Sequence, residues 1–214
     1  MTLAYGVEHY VREPYYRLRK RLLQAEAEAF FLESDARRWL WHAHHERLST
    51  GCEWSDYRLL YETITVRRPS RVLELGCGVS TLVIAQALGD NKMGHCWTVE
   101  EHPMYVEWVR GQLKEHDLTA ISLMTSRTKQ DIVAGFSGKR FVSRPEGTFD
   151  LVFVDGPTEY LSDGIKGICL DAFFIEYAKD AVVIVDGKRN TCKAYATVWK
   201  GRYDPIMDVG VFSP

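Results

Sequence analysis

Three acids, a glycine turn and a pair of hydroxyls carry the chemistry that this chain could do. Residues 71–85 run Arg-Val-Leu-Glu-Leu-Gly-Cys-Gly-Val-Ser-Thr-Leu-Val-Ile-Ala. Val72, Leu73 and Leu75 make an apolar run too short for a helix, interrupted by Glu74, and so predict a strand. Gly76 and Gly78 follow and let a ligand come close to the backbone around Cys77. Ser80 and Thr81 then open a helix, whose first N–H groups lack intrahelical partners and whose dipole is positive at this end. Strand, glycine turn and helix start together form a cradle for a small polar or anionic ligand. A dinucleotide-binding turn would carry a third glycine where Thr81 stands, allowing tight packing beside a pyrophosphate. Hydroxyls there suit helix capping or an amino-acid carboxylate instead. S-adenosyl-L-methionine (SAM) has such a carboxylate and no phosphate. On this motif alone a nicotinamide or flavin dinucleotide stays open, and so does a plain crossover with no ligand.

The next apolar run, Cys96-Trp97-Thr98-Val99, ends at Glu100-Glu101. An acid ending the second strand, roughly 20 residues after the glycine turn, is placed to accept hydrogen bonds from ribose hydroxyls. A carboxylate there disfavours a 2′-phosphate, and with it NADP. Glu100 follows the strand directly and takes the ribose role; Glu101 turns toward the adenine edge or solvent. Two later apolar strands end on Asp155 and Asp186. In open parallel sheets ligands bind outside the carboxyl ends of the strands. The turn, Glu100, Asp155 and Asp186 are therefore expected to meet on one edge.

Together these residues resemble the class I SAM-dependent methyltransferases. The matching runs are Glu74 through Thr81, then Thr98-Val99-Glu100, then Phe149 through Gly156. Within that superfamily, Val99-Glu100-Glu101-His102-Pro103 and Gln130-Asp131-Ile132 are similar to the small O-methyltransferases of the catechol O-methyltransferase type. The resemblance spans about residues 69–187. It implies a Rossmann-like fold, SAM as cofactor, and methyl transfer to a small-molecule acceptor at oxygen. It also implies that Glu74, Gly76, Cys77, Gly78, Ser80 and Thr81 hold the methionine part. Glu100 would then hold the ribose, with Glu101 at the adenine edge of the cofactor site, Gln130 would lie near the adenine, and Asp155 would contact the cofactor.

Methyl transfer from a sulfonium mainly requires that nucleophile, methyl carbon and sulfur be aligned. A hydroxyl nucleophile must also lose its proton. Asp155, then Asp186, then Lys188 are the candidate catalytic residues. Metal-dependent members of the family use an acid after strand four and an Asp-Asn pair after strand five. Here the first acid is Asp155, but the pair reads Asp186-Gly187, and Gly156-Pro157-Thr158 stand where the family has a lysine. No metal ligands are assigned, although two carboxylates and waters could hold Mg²⁺. Lys188 and Arg189 could take over orientation or charge stabilisation. Methyltransferases acting on exocyclic amines of bases carry an Asn/Asp-Pro-Pro-aromatic run after strand four, which Asp155-Gly156-Pro157-Thr158 lacks. An NAD-dependent oxidoreductase and a non-catalytic SAM-binding module remain the alternatives.

The elements that must position these residues alternate along the chain. Strands are expected at 71–76, 95–100, 120–125, 149–155 and 181–186, with helices at 80–88, 103–116, 129–135 and 165–178. Such alternation predicts a doubly wound, mostly parallel sheet with helices on both faces, and the family has seven strands. Helices over 13–48 and 56–66 would form an N-terminal cap. Thr197-Val198-Trp199 and Ile206-Met207-Asp208-Val209, joined at Tyr203-Asp204-Pro205, predict a terminal antiparallel hairpin. The chain is read as one domain, with the cap over 1–68 and a SAM-binding core over 69–214. The polar segment 137–147 is expected as a loop. Trp39, Trp41, His42, His44 and His45 are expected to pack the cap or line an acceptor pocket, and Trp54 to pack in the core.

Composition narrows the partners. The chain has 214 residues, 46% hydrophobic and 26% charged, with a formal net charge of −2. That balance gives no global attraction to nucleic acid. The basic run Arg17-Leu18-Arg19-Lys20-Arg21 is followed by Glu26, Glu28 and Glu33 and is read as a solvated helix face. No run predicts a membrane span or a signal peptide. Five scattered cysteines suit a reducing, cytoplasmic setting. A homodimer is left open.

Overall fold

The computed structural model describes residues 3–48 and 51–214, with side chains from residue 15 onward. Its central seven-stranded sheet has the order β3 (Ile121–Thr125), β2 (His95–Glu100), β1 (Arg71–Leu75), β6 (Thr148–Val154), β8 (Glu176–Asp186), β10 (Val209–Ser213), β9 (Lys200–Asp204). From β3 to β8 every pairing is parallel; β10 runs antiparallel to β8, and β9 antiparallel to β10. This is the α/β Rossmann-like sheet with a terminal hairpin that the alternation predicts. The hairpin is shifted along the chain, because Thr197 to Trp199 finish a helical turn, and the Asp204 carboxylate accepts the Ile206 and Met207 N–H groups to shape the bend.

Burial on both faces explains the continuous apolar strands. One face carries Val72, Cys96, Leu151, Phe153, Val182 and Ile184. It packs under α4 (Val79–Asn91), α5 (Pro103–Glu115) and the N-terminal helices α1 (Leu3–Leu32), α2 (Asp35–His45) and α3 (Trp54–Arg67). The other face carries Leu73, Leu75, Val99, Val152, Val154, Val183 and Val185. Each such side chain contributes about 1.5–3 kcal/mol by leaving water. The expected single helix over 13–48 is broken. Ser34 is the N-cap of α2, in extended conformation, and its carbonyl accepts the Arg37 and Arg38 N–H groups that start the new helix.

Two expected helices are not helices, and both lie over the second face. Residues 129–135 belong to a hairpin of β4 (Thr128–Val133) and β5 (Phe136–Phe141), which also turns most of the expected 137–147 loop into strand. Ala134 and Gly135 close it as a two-residue loop, both at positive φ (52° and 83°). That is the backbone a tight hairpin requires, and glycine supplies half of it without strain. Residues 165–178 split into β7 (Ile168–Cys169), a 3-10 turn at Asp171–Phe174, and the start of β8. β7 adds to β5 in parallel to complete a three-stranded sheet. Gly138 permits this, since a Cβ there would meet the Ile168 carbonyl oxygen at 2.1 Å. The small sheet, the 3-10 turn and α6 (Arg189–Tyr195) cover the face where crossover helices were expected.

Candidate functional site

The glycine turn is built by backbone contact. Gly76 has φ +94° and donates its N–H to the Val99 carbonyl at 2.8 Å. A Cβ on Gly76 would meet the Gly156 nitrogen at 2.8 Å, and one on Gly156 would meet the Gly76 Cα at 2.8 Å. The ends of β1 and β6 thus touch through two residues without side chains. Gly76→Ala should cost about 2–4 kcal/mol, from positive-φ strain plus a clash with backbone that cannot swing away. A thermal melt measures it; an unchanged Tm would show that the two loops separate freely.

Beyond the turn, Glu100 ends β2. Its Oε2 accepts the Cys77 N–H and its Oε1 the His102 N–H, each at 2.8 Å. The side chain is buried, yet it lines a cavity beside Gly76 and Cys77. Burial raises its pKa, while the backbone N–H groups of Cys77 and His102 act the other way. Glu101 lines the same cavity and accepts from Thr128 Oγ1 and the Thr158 N–H.

Glu74, Ser80 and Thr81 stand behind the turn. Glu74 is fully buried, with Ser80 Oγ at 2.6 Å, Thr81 Oγ1 at 2.7 Å and Thr98 Oγ1 at 2.8 Å. Thr81 Oγ1 also accepts the Gly78 N–H at 3.1 Å. The hydroxyls thus tie the helix start to the strand end from beneath, and none of the three side chains lines the cavity. Burial pushes Glu74 up to about 8 despite its hydroxyl partners. A folded-state value above the unfolded one means that the native state holds the proton more tightly. Its contribution is therefore fully present below the unfolded value and is lost as pH rises through about 8. Glu74→Gln should remove that loss, so the Tm of the variant relative to wild type should climb between pH 5 and 9. A flat difference across that range would show that Glu74 ionises in the core without cost.

The cavity has a volume of about 480 Å³. It runs from Gly76, Cys77 and Glu100 past Asp155, Gly156 and Pro157 to Asp186 and Lys188. Sheet topology thus brings the strand ends of β1, β2, β6 and β8 to one edge, as the acids suggested. Lys188 Nζ lies 3.7 Å from Asp155 Oδ1, and Cys52 Sγ lies 3.7 Å from Asp155 Oδ2 on the other side. Asp186 is 8% exposed, and its carboxylate, the Asp155 carboxylate and the Cys52 thiol have atoms within 4.8 Å of one another. Burial raises both carboxyls, Lys188 opposes the rise at Asp155, and the Asp155 charge adds to it at Asp186. Burial pulls Lys188 down, but the anionic surroundings led by Asp155 outweigh this and raise it. A larger groove, of about 870 Å³, opens between Arg140, Arg144 and Phe174 and contains none of these acids.

Gln130 is not at the cavity. It sits on the exposed hairpin strand β4, where its Nε2 bonds Ser162 Oγ at 3.0 Å. Several cavity groups were absent from the sequence reading. Tyr105, Glu159, Tyr160 and Lys166 line the wall, with Glu159 held by Thr191 Oγ1 at 2.8 Å and Lys166 Nζ at 3.1 Å. Cys52 reaches the acids from the segment between α2 and α3. The histidine cluster packs in the cap: His44 lies against Trp54 with ring centroids 4.3 Å apart, and His45 against Trp41 at 3.9 Å. Burial, with Arg47 and His45 nearby, holds His44 down at about 4.

The wall from the Gly76 turn to Glu100 presents glycine backbone and a buried carboxylate to the cavity. The inner end has a different character. Ligand atoms of Cys52, Asp155 and Asp186 lie within 4.8 Å of one another. One thiol and two carboxylates form a donor set that fits a borderline divalent cation such as Zn²⁺.

Known proteins share this architecture. A family described as "Methyltransferase domain" matches residues 73–187, from within β1 to just past β8. A search of curated proteins finds no match. Among solved structures, the SAH-bound methyltransferase PaMTH1 of Podospora anserina aligns with a TM-score of 0.58 at 18% identity, over 84% of this chain and 87% of that one. The O-methyltransferase TomG of Streptomyces achromogenes, in complex with SAM, gives 0.54 at 18% identity, over 84% and 88%. A methyltransferase of Geobacter sulfurreducens gives 0.52 at 16%, over 73% and 77%. At these identities the likeness is one of fold.

Proposed function

The chain belongs to the methyltransferase-domain family, and from that premise we propose that it binds SAM and directs the methyl group to an oxygen of a small-molecule acceptor. The observation that carries the proposal is Glu100: a buried carboxylate, pinned by the Cys77 and His102 N–H groups, on the cavity wall beside the Gly76 turn. Two backbone donors fix its orientation, and its remaining acceptor positions suit paired ribose hydroxyls. The amino-acid tail of the ligand would then lie along Gly76 and Cys77, and its adenine toward Glu101 and His102. Residues 69–214 would act as the binding core, with 1–68 as a cap that contributes Gly51 to the wall. No helix among the described residues is long and apolar enough to cross a membrane. The five free, buried cysteines suit a reducing cytoplasm.

When bound, SAM supplies an electrophilic methyl carbon and a good leaving group. The protein's part is alignment and proton removal. Asp155 lies between the turn and the inner end of the cavity, so its carboxylate is the group we assign to take the acceptor hydroxyl proton. Lys188 holds Asp155 Oδ1, which leaves Oδ2 toward Cys52 and the inner end. Asp186 completes the wall. Calorimetric titration with S-adenosylhomocysteine tests the cofactor assignment directly. Binding in the micromolar range is expected, whereas silence at millimolar ligand combined with saturable NADH binding would favour the oxidoreductase alternative.

A further inference from the structure

We propose that the chain pairs with a second copy of itself through the outer face of α1, the two helices running antiparallel about a two-fold axis. This helix is apolar on two opposite faces. The inner face, with Ala27 and Phe31 buried, packs against α2 and α3. The outer face carries Tyr15, Leu18, Leu22, Ala25, Ala29 and Leu32, all of them exposed. Their spacing alternates between three and four residues, which is the a/d seam of a coiled coil. Tyr15, Leu18 and Leu22 are each more than half exposed. A contiguous apolar stripe is seldom left in water, so a helix that is apolar on both sides calls for a second cover.

Size and charge along the stripe identify the cover as a second copy and fix its direction. In an antiparallel seam each a position faces a d position of the other helix, which here sets large against small. Leu18 meets the partner's Ala29, Leu22 meets the partner's Ala25, and Tyr15 meets the partner's Leu32 at the ends. A hollow of about 300 Å³ beside Ala29, lined also by Glu26, Phe30, Glu33 and Arg58, would receive the partner's Leu18. The flanking charges agree. Arg19 faces the partner's Glu26 on one side of the seam and Arg21 faces the partner's Glu28 on the other, and the two-fold axis repeats each pair. Glu28 gives Oε1 to Trp41 at 2.7 Å and keeps Oε2 for such a contact. A parallel pairing would instead oppose Glu28 to the partner's Glu33 and leave two thin layers, alanine on alanine, at positions 25 and 29. An anionic membrane surface would attract the basic half of the helix but repel Glu26, Glu28 and Glu33, which flank the same stripe. The helix also carries Lys20 and Gln24, which hold Glu53 and Ser55 at the start of α3, near the cavity-lining Gly51. The paired face therefore backs the part of the cap that reaches the cavity.

Sedimentation equilibrium of the full chain tests the pairing without SAM or acceptor, so its outcome is independent of the methyltransferase reading. A monomer–dimer equilibrium with a dissociation constant of about 1–100 µM is expected, since a seam of about five helical turns is small for a stable interface. Leu18→Gln combined with Leu22→Gln, both at exposed positions, should raise that constant at least about tenfold. Arg19→Glu should weaken pairing by setting acids face to face. Adding Glu26→Arg should restore it, because the swap re-forms the same antiparallel pairs. A parallel dimer would not recover, since the basic side chain placed at position 26 would face the partner's Arg21. Circular dichroism shows that each variant is folded. A chain that stays monomeric at about 500 µM overturns the proposal; binding of that monomer to phosphatidylserine vesicles would assign the stripe to a membrane surface instead. A dimer that survives unchanged in folded Leu18→Gln/Leu22→Gln also overturns it, by placing the interface elsewhere. So does a charge swap that fails to restore pairing, which rules out the antiparallel register.

Discussion

Glu100→Ala should weaken S-adenosylhomocysteine binding by about 100- to 1000-fold, the loss expected when two hydrogen bonds to a charged acceptor disappear together. Two effects add. The ribose hydroxyls lose the carboxylate that would receive them. The Cys77 and His102 N–H groups, now held by Glu100 at 2.8 Å each, are left without an acceptor at the cavity wall. Those orphaned donors also loosen the turn that would hold the amino-acid tail, so the damage spreads along the ligand. Glu100→Gln is the useful control. Its amide keeps the shape and one carbonyl acceptor but turns an NH₂ toward a backbone donor, so an intermediate loss is expected. Calorimetry on both variants, with a thermal melt to show that each is folded, decides the matter. Affinity within threefold of wild type in Glu100→Ala would remove Glu100 from the ribose role.

The parts of the fold that were legible are those whose physics is local. Val182 to Val185 are buried on alternate faces of the same sheet, and a strand covered on both sides must read as an unbroken apolar run. The Gly76 turn was legible for a related reason, since its neighbours must approach within a distance that only glycine allows. The second face was not legible, because its cover is assembled from pieces. In β4 the apolar Ile132 is 71% exposed, so the segment lacks the buried alternation that marks a strand. The Ala134-Gly135 dipeptide was the available signal for a hairpin, since glycine suits the positive φ that both residues adopt. That change of element is also why Gln130 faces Ser162 instead of the cavity. Cys52 shows a different limit. It meets Asp155 across 103 positions of sequence, through the docking of the cap on the sheet edge. Nothing in its own neighbourhood distinguishes it from a packing cysteine. Ser80 and Thr81 were conspicuous in sequence, but Glu74 engages both hydroxyls. The same residue types serve a ligand or a buried acid equally well, and only the third dimension separates the two.

Asp155→Asn should lower kcat by about 100- to 10,000-fold, the usual range for losing a positioned general base. The affinity for S-adenosylhomocysteine should change only a few-fold, because the amide keeps the size of the side chain and the backbone of the loop is held independently. Asp155 N and Gly156 N both donate to the Leu75 carbonyl, at 2.8 and 2.5 Å. The contrast between the two readouts carries the information. An Asp155 that merely contacts the cofactor would shift affinity and rate together, whereas a base acts on the rate alone. Lys188 sharpens the test. Its ammonium, 14% exposed, loses its nearest anion in the variant and must find Asp186 or Glu159 instead. Lys188→Met in the Asp155→Asn background removes that stranded charge. If the low kcat came from a displaced lysine, the double variant should recover part of it. If Asp155 is the base, the double variant should stay as slow as the single one. Recovery would move the catalytic assignment from Asp155 to the charge that it normally holds.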